Sequence, residues 1–544
     1  MQLMKRLIIG VVCLILVAGL GASARAQQSS IAGDWVGGYE INRNYTPIRT
    51  RFSVEGAGIK GTLDFPVRGV TGVALDQVRF LSPNLHFELP RSAGRIIFEG
   101  RPSGDFITGN IQSGSERGTF HLVRAVTLDA KVFDQYVGDY QIGRDRYVSI
   151  ERTPPDEPTA GITYVERDRS SPGHRYGRLF PASETAFVAG PGRWVPYPVE
   201  INATFIKNEQ GQVTALKWKP TGSPEIIARK VKPHLYDEEE VTFSNGNVTL
   251  AGTLTLPLTK GPHPAVVLLP GSDGGARFKG ELPTFFAQHG IAVLTYDKRG
   301  WGASTGTLIG ATIEDMAGDT SAGVRFLQKR PDIDPGKVGM WAISQGGWMA
   351  PVVATRTPNV AFMILHAGPA ISPRLQGRME LVNTFPRFGY SQDQIKEAIE
   401  YQNLYFDAMN SDEAYDKVQA VYEQLRARGV RWVWNPGTKE QLRAQWTRPN
   451  IDFDPVPFLE KVKCPVLAFF GEKDVLVPPE GNVAIMEAAL KKAGNKDVTI
   501  KILPGVNHNF EVPGMGVYGF QSSGKVPPGY YDVMMEWLKK QVCL

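Results

Sequence analysis

The sequence predicts an α/β protein, with a doubly wound, mostly parallel sheet and a helical insertion, preceded by antiparallel β-rich modules. Short alternating segments separated by Gly and Asn fill the first part of the 544-residue chain. After about Tyr236, continuous apolar runs alternate with helical patterns, as in a parallel sheet that is buried on both faces. From about Pro373 to Phe458 the chain shows helical periodicity and little strand character, which predicts an insertion between strands.

The first β-rich module is predicted over residues 27–125 and the second over residues 126–235. Gly61–Phe65 and Val213–Leu216 show the two-residue alternation of strands with one buried face. A turn at Asn208–Gly211 separates two such segments. Both modules are therefore expected to be antiparallel.

Residues 236–544 are predicted to form the α/β domain, with a helical cap at about 373–458. Asn245-Gly246 lies between two apolar alternating segments, the pattern of a type I′ hairpin. The cap is rich in aromatic residues, among them Phe388, Trp432 and Trp434. These rings either contact substrate or form the core of the cap. The predicted strands cover residues 265–269, 291–296, 338–343, 362–365, 466–470 and 498–503. The predicted helices cover residues 282–289 and 313–329, a further helix begins at Gln345, and the clearest helical segments of the cap are 390–409 and 412–428.

The N-terminus has the pattern of a secretory signal peptide. Lys5 and Arg6 precede an apolar stretch from Leu7 to Leu20, and Ala24-Arg25-Ala26 offers small residues to a peptidase. We expect cleavage after Ala26 and a periplasmic or secreted protein. A membrane anchor is the alternative, but the apolar stretch is shorter than the roughly 18–20 residues that span a bilayer. No later segment is long and apolar enough, so no membrane contact is expected after cleavage.

Composition limits the possible partners. The formal net charge is +5, and loss of the charges in the signal peptide leaves about +2. This small excess does not predict nucleic acid as a partner. Cys464 and Cys543 remain after cleavage and could form one disulfide, although two free thiols are the simpler expectation. They lie apart from any histidine cluster, so neither a metal nor another cofactor is predicted.

Ser344 is the candidate nucleophile. The strand predicted at residues 338–343 leads directly into Ser344, and Gly346 and Gly347 follow it. This strand–serine–helix turn raises a hydroxyl above the edge of a sheet. Ala342 occupies the position where such turns usually have glycine, and it is small enough to keep the neighbouring strands close.

A serine hydroxyl needs a base, because it is a poor nucleophile on its own. His508 follows the last predicted strand and is the last of the eight histidines, as the chain order serine, acid, histidine requires. Asp474 lies between them, after the strand at residues 466–470, and would fix and stabilise the imidazole. Glu472 is the competing carboxylate.

The oxyanion of the reaction needs two backbone donors. One is expected to be the N–H of Gln345, at the start of the helix that follows Ser344. The second is expected from the loop that follows residues 265–269, where Ser272 is the first choice and Asp273 the alternative. The glycines of this loop do not indicate a phosphate site, because the Lys-Ser/Thr ending of a P-loop is absent.

These motifs, together with the Asp-x-Arg-Gly-x-Gly-x-Ser turn at residues 297–304, resemble capped α/β-hydrolase esterases and serine aminopeptidase-like hydrolases. The turn is predicted to be structural, with Arg299 paired to a carboxylate or to carbonyl groups. Relatives commonly begin the oxyanion loop with His-Gly, where this chain has Pro270-Gly271. The β-rich modules resemble those fused ahead of secreted bacterial hydrolases.

The resemblance implies hydrolysis of a small-molecule carboxylic ester through an acyl-enzyme. A serine peptidase or amidase acting on short peptides is the first alternative. A catalytically inert binding protein on the same fold is the second, and retention of both Ser344 and His508 argues against it.

Overall fold

The computed structural model describes residues 31–510, 526–527 and 529–542, with short gaps in the first of these ranges. The predicted signal peptide and Cys543 lie outside the described residues. The gaps are residues 42–43, 56–57, 67–69, 92–93, 145, 154–160, 169–175, 192–195, 232–235, 273–274, 276, 278–280 and 446.

The first sheet contains nine antiparallel strands in the order β4-β3-β2-β1-β9-β8-β7-β6-β5. Its alternation follows the sequence: in β3, Ile59 and Leu63 are buried, whereas Lys60 and Thr62 face solvent. The buried faces meet in an aromatic core that includes Trp35. The strands are β1 Gly33–Ile41, β2 Asn44–Glu55, β3 Gly58–Phe65, β4 Val70–Ala74, β5 Asp76–Leu81, β6 Asn84–Arg91, β7 Gly94–Ser103, β8 Phe106–Ser113 and β9 Glu116–Ala125.

The second sheet is a closed antiparallel barrel of eight strands. Pairing of Asp139 with Val231 joins the first and last strands of the barrel. The barrel therefore has no unpaired edge strand that could pair with another chain. Tyr136, Tyr140 and Trp218 are fully buried inside it. The strands are β10 Gly138–Gln141, β11 Arg146–Arg152, β12 Ile162–Asp168, β13 Tyr176–Pro181, β14 Ala186–Ala189, β15 Ile201–Lys207, β16 Val213–Pro220 and β17 Ile226–Val231, and a 3₁₀ helix at Ala130–Gln135 precedes them.

The third sheet has eight strands in the order β18-β19-β21-β20-β22-β23-β24-β25. Its first two strands form the predicted hairpin, in which Asn245 pairs with Val248 and Gly246 has a φ of 58°. The strands from β21 to β25 in this order are parallel. The strands are β18 Asp237–Asn245, β19 Val248–Leu256, β20 His263–Leu269, β21 Ala292–Tyr296, β22 Ile333–Ile343, β23 Met363–His366, β24 Val466–Gly471 and β25 Val498–Leu503.

Helices accompany the third sheet and fill the interval between β23 and β24. The helices of that interval pack around Tyr401, Tyr422 and Trp432, which belong to a hydrophobic cluster separate from the core of the sheet. The helices are α1 Glu281–Gln288, α2 Ile313–Gln328, α3 Gln345–Arg356, α4 Pro373–Thr384, α5 Gln392–Ala408, α6 Asp412–Ala427, α7 Lys439–Arg443, α8 Val456–Leu459, α9 Pro479–Lys492 and α10 Tyr530–Val542, with a 3₁₀ helix at Phe385–Phe388.

The predicted fold class is confirmed: antiparallel β structure precedes a mostly parallel sheet with a helical insertion. Some elements differ from the sequence prediction. Strand β22 begins at Ile333 rather than Val338, and α10 was not predicted. Helix α10 buries Met534 and Leu538 in the core of the third sheet. Among the described helices, none has both the length and the apolar character needed to cross a membrane.

Candidate active site

Ser344 lies at the junction between β22 and α3. Its φ of 52° and ψ of −116° place a non-glycine residue in an unfavourable backbone conformation. Such strain persists only where the surrounding structure enforces it, and here the Ser344 N–H donates to the His366 carbonyl at 3.0 Å. The conformation is the one expected of a nucleophile turned out of a strand.

The two glycines after Ser344 permit this turn because neighbouring backbone approaches them closely. A Cβ at Gly346 would lie 2.7 Å from the carbonyl oxygen of Leu269. A Cβ at Gly347 would lie 2.4 Å from the Cα of Gly368. Neither position therefore has room for a side chain.

His508 and Asp474 form a direct pair. The Nδ1 atom of His508 lies 2.8 Å from Oδ2 of Asp474. The other carboxylate oxygen of Asp474 accepts the N–H groups of Leu476 and Val477 at 2.9 and 2.8 Å. Because the Asp474 side chain is fully buried and held from both sides, it fixes the orientation of the imidazole.

Glu472, the competing acid, has different partners. Its carboxylate is exposed and pairs with the Lys473 ammonium at 2.8 Å, and it accepts the Gly505 N–H at 2.7 Å. The hydrogen bond and charge of Lys473 lower the pKa of Glu472. The structure thus pairs His508 with Asp474.

All three candidate residues lie at one edge of the third sheet. Ser344 follows β22, Asp474 follows β24 and His508 follows β25, and these strands are parallel. The carboxyl ends of parallel strands meet at a single edge, where ligands of such sheets bind.

Gln345 and Ser272, the predicted oxyanion donors, lie at the start of α3 and in the loop after β20. Gln345 is the first residue of α3, where the helix leaves backbone N–H groups unpaired within the helix and concentrates positive potential. Ser272 is exposed in the loop after β20. Asp273, the alternative to Ser272, lies outside the described residues.

Lys298 is a site residue that the sequence analysis did not single out. It belongs to the turn predicted to be structural, yet its ammonium donates to the Gly271 carbonyl and, at 3.0 Å, to Oε1 of Gln345. The signal available in the sequence was a lysine two residues after a buried strand, in a turn that contains Gly300 and Gly302. The neighbouring prediction is confirmed: Arg299 pairs with the Asp319 carboxylate at 2.7 Å.

Glu380 of α4 is a second residue that the sequence analysis missed. Burial raises the pKa of its carboxyl group, the charge of Asp474 raises it further, and His508 lowers it. These influences place the carboxyl group within electrostatic range of the His508–Asp474 pair. Nothing in the helical periodicity of the cap distinguishes Glu380 from a surface glutamate.

No cluster of histidine, cysteine, aspartate or glutamate suited to a metal occurs in the described part of the chain. Cys464 forms no disulfide with any described residue, and burial raises the pKa of its thiol to about 12. The alternative to two free thiols, a disulfide between Cys464 and Cys543, involves a residue outside the described ranges.

The order of the third sheet, with Ser344, Asp474 and His508 at the ends of its strands, is that of the α/β-hydrolase fold. Residues 260–512 match the family described as "Serine aminopeptidase, S33". This part, somewhat less than half of the chain, is therefore similar to that family.

Comparison with individual proteins finds esterases and a peptidase. The chain is 23% identical over 356 residues to the esterase EstD of Thermotoga maritima, which covers 63% of this chain and 77% of that protein. An esterase structure from Pyrococcus furiosus, Pf2001, is 16% identical, with a TM-score of 0.35 and coverage of 56% of this chain and 92% of the other. A proline iminopeptidase from Mycobacterium smegmatis is 18% identical, with a TM-score of 0.37 and coverage of 56% and 99%.

Proposed function

We propose that the protein is a secreted serine hydrolase that cleaves a small carboxylic ester through an acyl-enzyme at Ser344. The observation that carries the proposal is the buried Asp474–His508 pair, at 2.8 Å, on the sheet edge where Ser344 holds its strained turn. The signal-peptide pattern of residues 1–26 supports secretion. The relative from Thermotoga maritima is named an esterase, which supports an ester substrate.

The first half of the reaction uses these groups in a fixed order. His508 accepts the proton of the Ser344 hydroxyl while Oγ attacks the carbonyl carbon of the ester. The negative charge that develops on the carbonyl oxygen is stabilised by the N–H groups of Gln345 and Ser272. His508 then gives its proton to the departing alcohol, and the acyl group remains on Ser344.

The second half releases the acid. A water molecule takes the place of the alcohol, and His508 accepts its proton as its oxygen attacks the acyl carbon. Collapse of the second tetrahedral intermediate returns the proton to Ser344. Throughout both halves the Asp474 carboxylate stabilises the imidazolium form of His508.

Labelling with a fluorophosphonate, followed by p-nitrophenyl esters of increasing chain length, tests this function. Ser344→Ala should abolish labelling and lower kcat/KM by roughly a thousandfold or more. Ser183→Ala, which changes an exposed serine of a barrel turn, is the matched control and should keep both activities. Absence of labelling in folded wild-type protein would favour the inert binding protein instead.

Glu380 favours a second candidate function, hydrolysis of short peptides or aminoacyl amides. His508 and Asp474 both act electrostatically on the Glu380 carboxyl group, and the ammonium group of a peptide N-terminus would stabilise its ionised form. Glu380→Gln should then weaken turnover of alanine p-nitroanilide roughly tenfold or more, while p-nitrophenyl acetate is affected much less. Glu400→Gln, an exposed change on α5, is the control.

A further inference from the structure

We infer that Lys298 is a positioning residue that holds both oxyanion donors in place with a single buried ammonium group. The inference rests on the proposed function and adds a residue to it. Lys298 is 5% exposed and lies in the turn between β21 and α2. Its ammonium contacts one group on each side of the predicted oxyanion hole.

The first contact fixes the loop donor. Lys298 Nζ donates to the carbonyl oxygen of Gly271, which shares a peptide group with the N–H of Ser272. A charged donor on that oxygen polarises the peptide group, so the same N–H becomes a stronger donor. It also sets the plane of the peptide, and therefore the direction in which the N–H points.

The second contact fixes the helix donor. Lys298 Nζ donates to Oε1 of Gln345 at 3.0 Å, and the Gln345 side chain is almost fully buried. The side chain and the backbone N–H of Gln345 belong to one residue at the start of α3. Holding its side chain against Lys298 restrains the first turn of the helix relative to the loop.

Backbone contacts make Lys298 a rigid support for this loop. Its N–H donates to the carbonyl oxygen of Gly275 at 2.7 Å. A Cβ at Gly275 would lie 2.0 Å from the ring of Trp301, so the loop packs directly on the same turn. The preceding residue, Asp297, accepts the Arg277 N–H at 3.0 Å and its guanidinium at 2.8 Å. The turn therefore holds the loop at Gly271, Gly275 and Arg277.

Arg299 provides an internal contrast one residue away. Its guanidinium binds the carboxylate of Asp319 on α2 through two hydrogen bonds of 2.7 Å and the Asp315 carbonyl at 2.9 Å. It thus ties the turn to a helix, whereas Lys298 ties the turn to the oxyanion donors. Loss of Arg299 should lower stability, and loss of Lys298 should lower transition-state stabilisation.

The test compares Lys298→Met with the control Arg299→Met in the full-length mature chain. We expect Lys298→Met to lower kcat and the rate constant of fluorophosphonate labelling roughly 10- to 100-fold with little change in KM, since misplacing an oxyanion donor affects the charged transition state most. Phenylboronic acid forms a tetrahedral adduct with serine, and its inhibition constant should rise by a similar factor. Lys298→Gln, which keeps a donor, should recover part of the loss. Arg299→Met should change only the melting temperature.

The outcomes separate the two proposals. If wild-type protein is not labelled, both the proposed function and the positioning role of Lys298 are wrong. If wild-type protein is labelled and Lys298→Met reacts at the same rate, or changes only in KM, the positioning role alone is wrong. If Lys298→Met does not fold, Gln345→Met removes the second contact from the other side. In that case an unchanged kcat in folded Gln345→Met would overturn the inference.

Discussion

Two histidines at the carboxyl edge of the third sheet have opposite surroundings. His508, in the loop after β25, pairs with the Asp474 carboxylate and keeps part of its side chain accessible. His366, at the end of β23, is fully enclosed: its Nδ1 lies 2.8 Å from the Tyr530 hydroxyl, and its Nε2 has no hydrogen-bond partner among the described residues. Phe510 packs against its ring, with 3.5 Å between the ring centroids.

The contrast shows what makes a histidine at this edge suitable as a base. Burial, and secondarily the nearby His508, hold the pKa of His366 well below its usual value, so it stays neutral. Within the described ranges no carboxylate contacts its ring to stabilise a positive charge formed during a reaction. His508 has that partner in Asp474, so the two histidines differ in their surroundings although both lie at the same edge of the sheet.

Replacing each histidine in turn gives the largest expected difference. His508→Ala should lower kcat/KM on a p-nitrophenyl ester by on the order of 10⁴-fold or more, because no other group accepts the serine proton. His366→Leu should change it by no more than about threefold, since the His366 imidazole contacts Tyr530 and Phe510 rather than the reacting atoms. Comparable losses in both folded variants would contradict the distinction.

Replacing the carboxylate that pairs with His508 is expected to have a somewhat smaller effect on activity. Asp474→Asn should lower kcat by on the order of 10³- to 10⁴-fold, because an amide can no longer hold the imidazole in the required tautomer. Glu472→Gln is the matched control, two residues away in the same loop, and should keep near-normal kcat because its partners are Lys473 and Gly505. Steady-state kinetics on one ester decides the point. An equal loss of kcat in Glu472→Gln would contradict the assignment of Asp474 as the acid.

Much of this architecture could be predicted because its signals are local. The apolar run at residues 265–269, the Asn245-Gly246 turn and the strand before Ser344 each specify an element within a few residues. Once the strands are known to be parallel, their carboxyl ends share an edge, which accounts for the predicted positions of Ser344, Asp474 and His508.

The features that the sequence did not predict depend on distant contacts. Closure of the barrel requires β10 to pair with β17, and no local sequence pattern predicts that pairing. Trp432 belongs to the cluster inside the cap and is 8% exposed, which favours a core role for this ring over the substrate contact that the sequence left open. The proposed role of Lys298 depends on its contact with the loop after β20, and that of Glu380 depends on the position of the cap relative to the sheet edge. Neither arrangement can be derived from the residues adjacent in sequence.

The smallest expected effect concerns stability in acid and follows from the buried state of His366. An unfolded chain protonates a histidine below a pH of about 6.5, whereas the folded protein keeps His366 neutral to much lower pH. Below about pH 6.5 the unfolded state therefore binds the extra proton, and the free energy of unfolding falls as the pH falls.

In His366→Leu this contribution to the pH dependence of stability is absent. Calorimetric melting temperatures at pH 7.5 and 5.5 should show a smaller decrease in the variant than in wild-type protein. His121 offers a parallel in the first sheet, because burial lowers its pKa to about 4, and His121→Phe should likewise reduce the acid sensitivity of its own unfolding transition. An identical decrease in wild-type protein and His366→Leu would mean that His366 accepts a proton in the folded state, and the comparison with His508 would lose its basis.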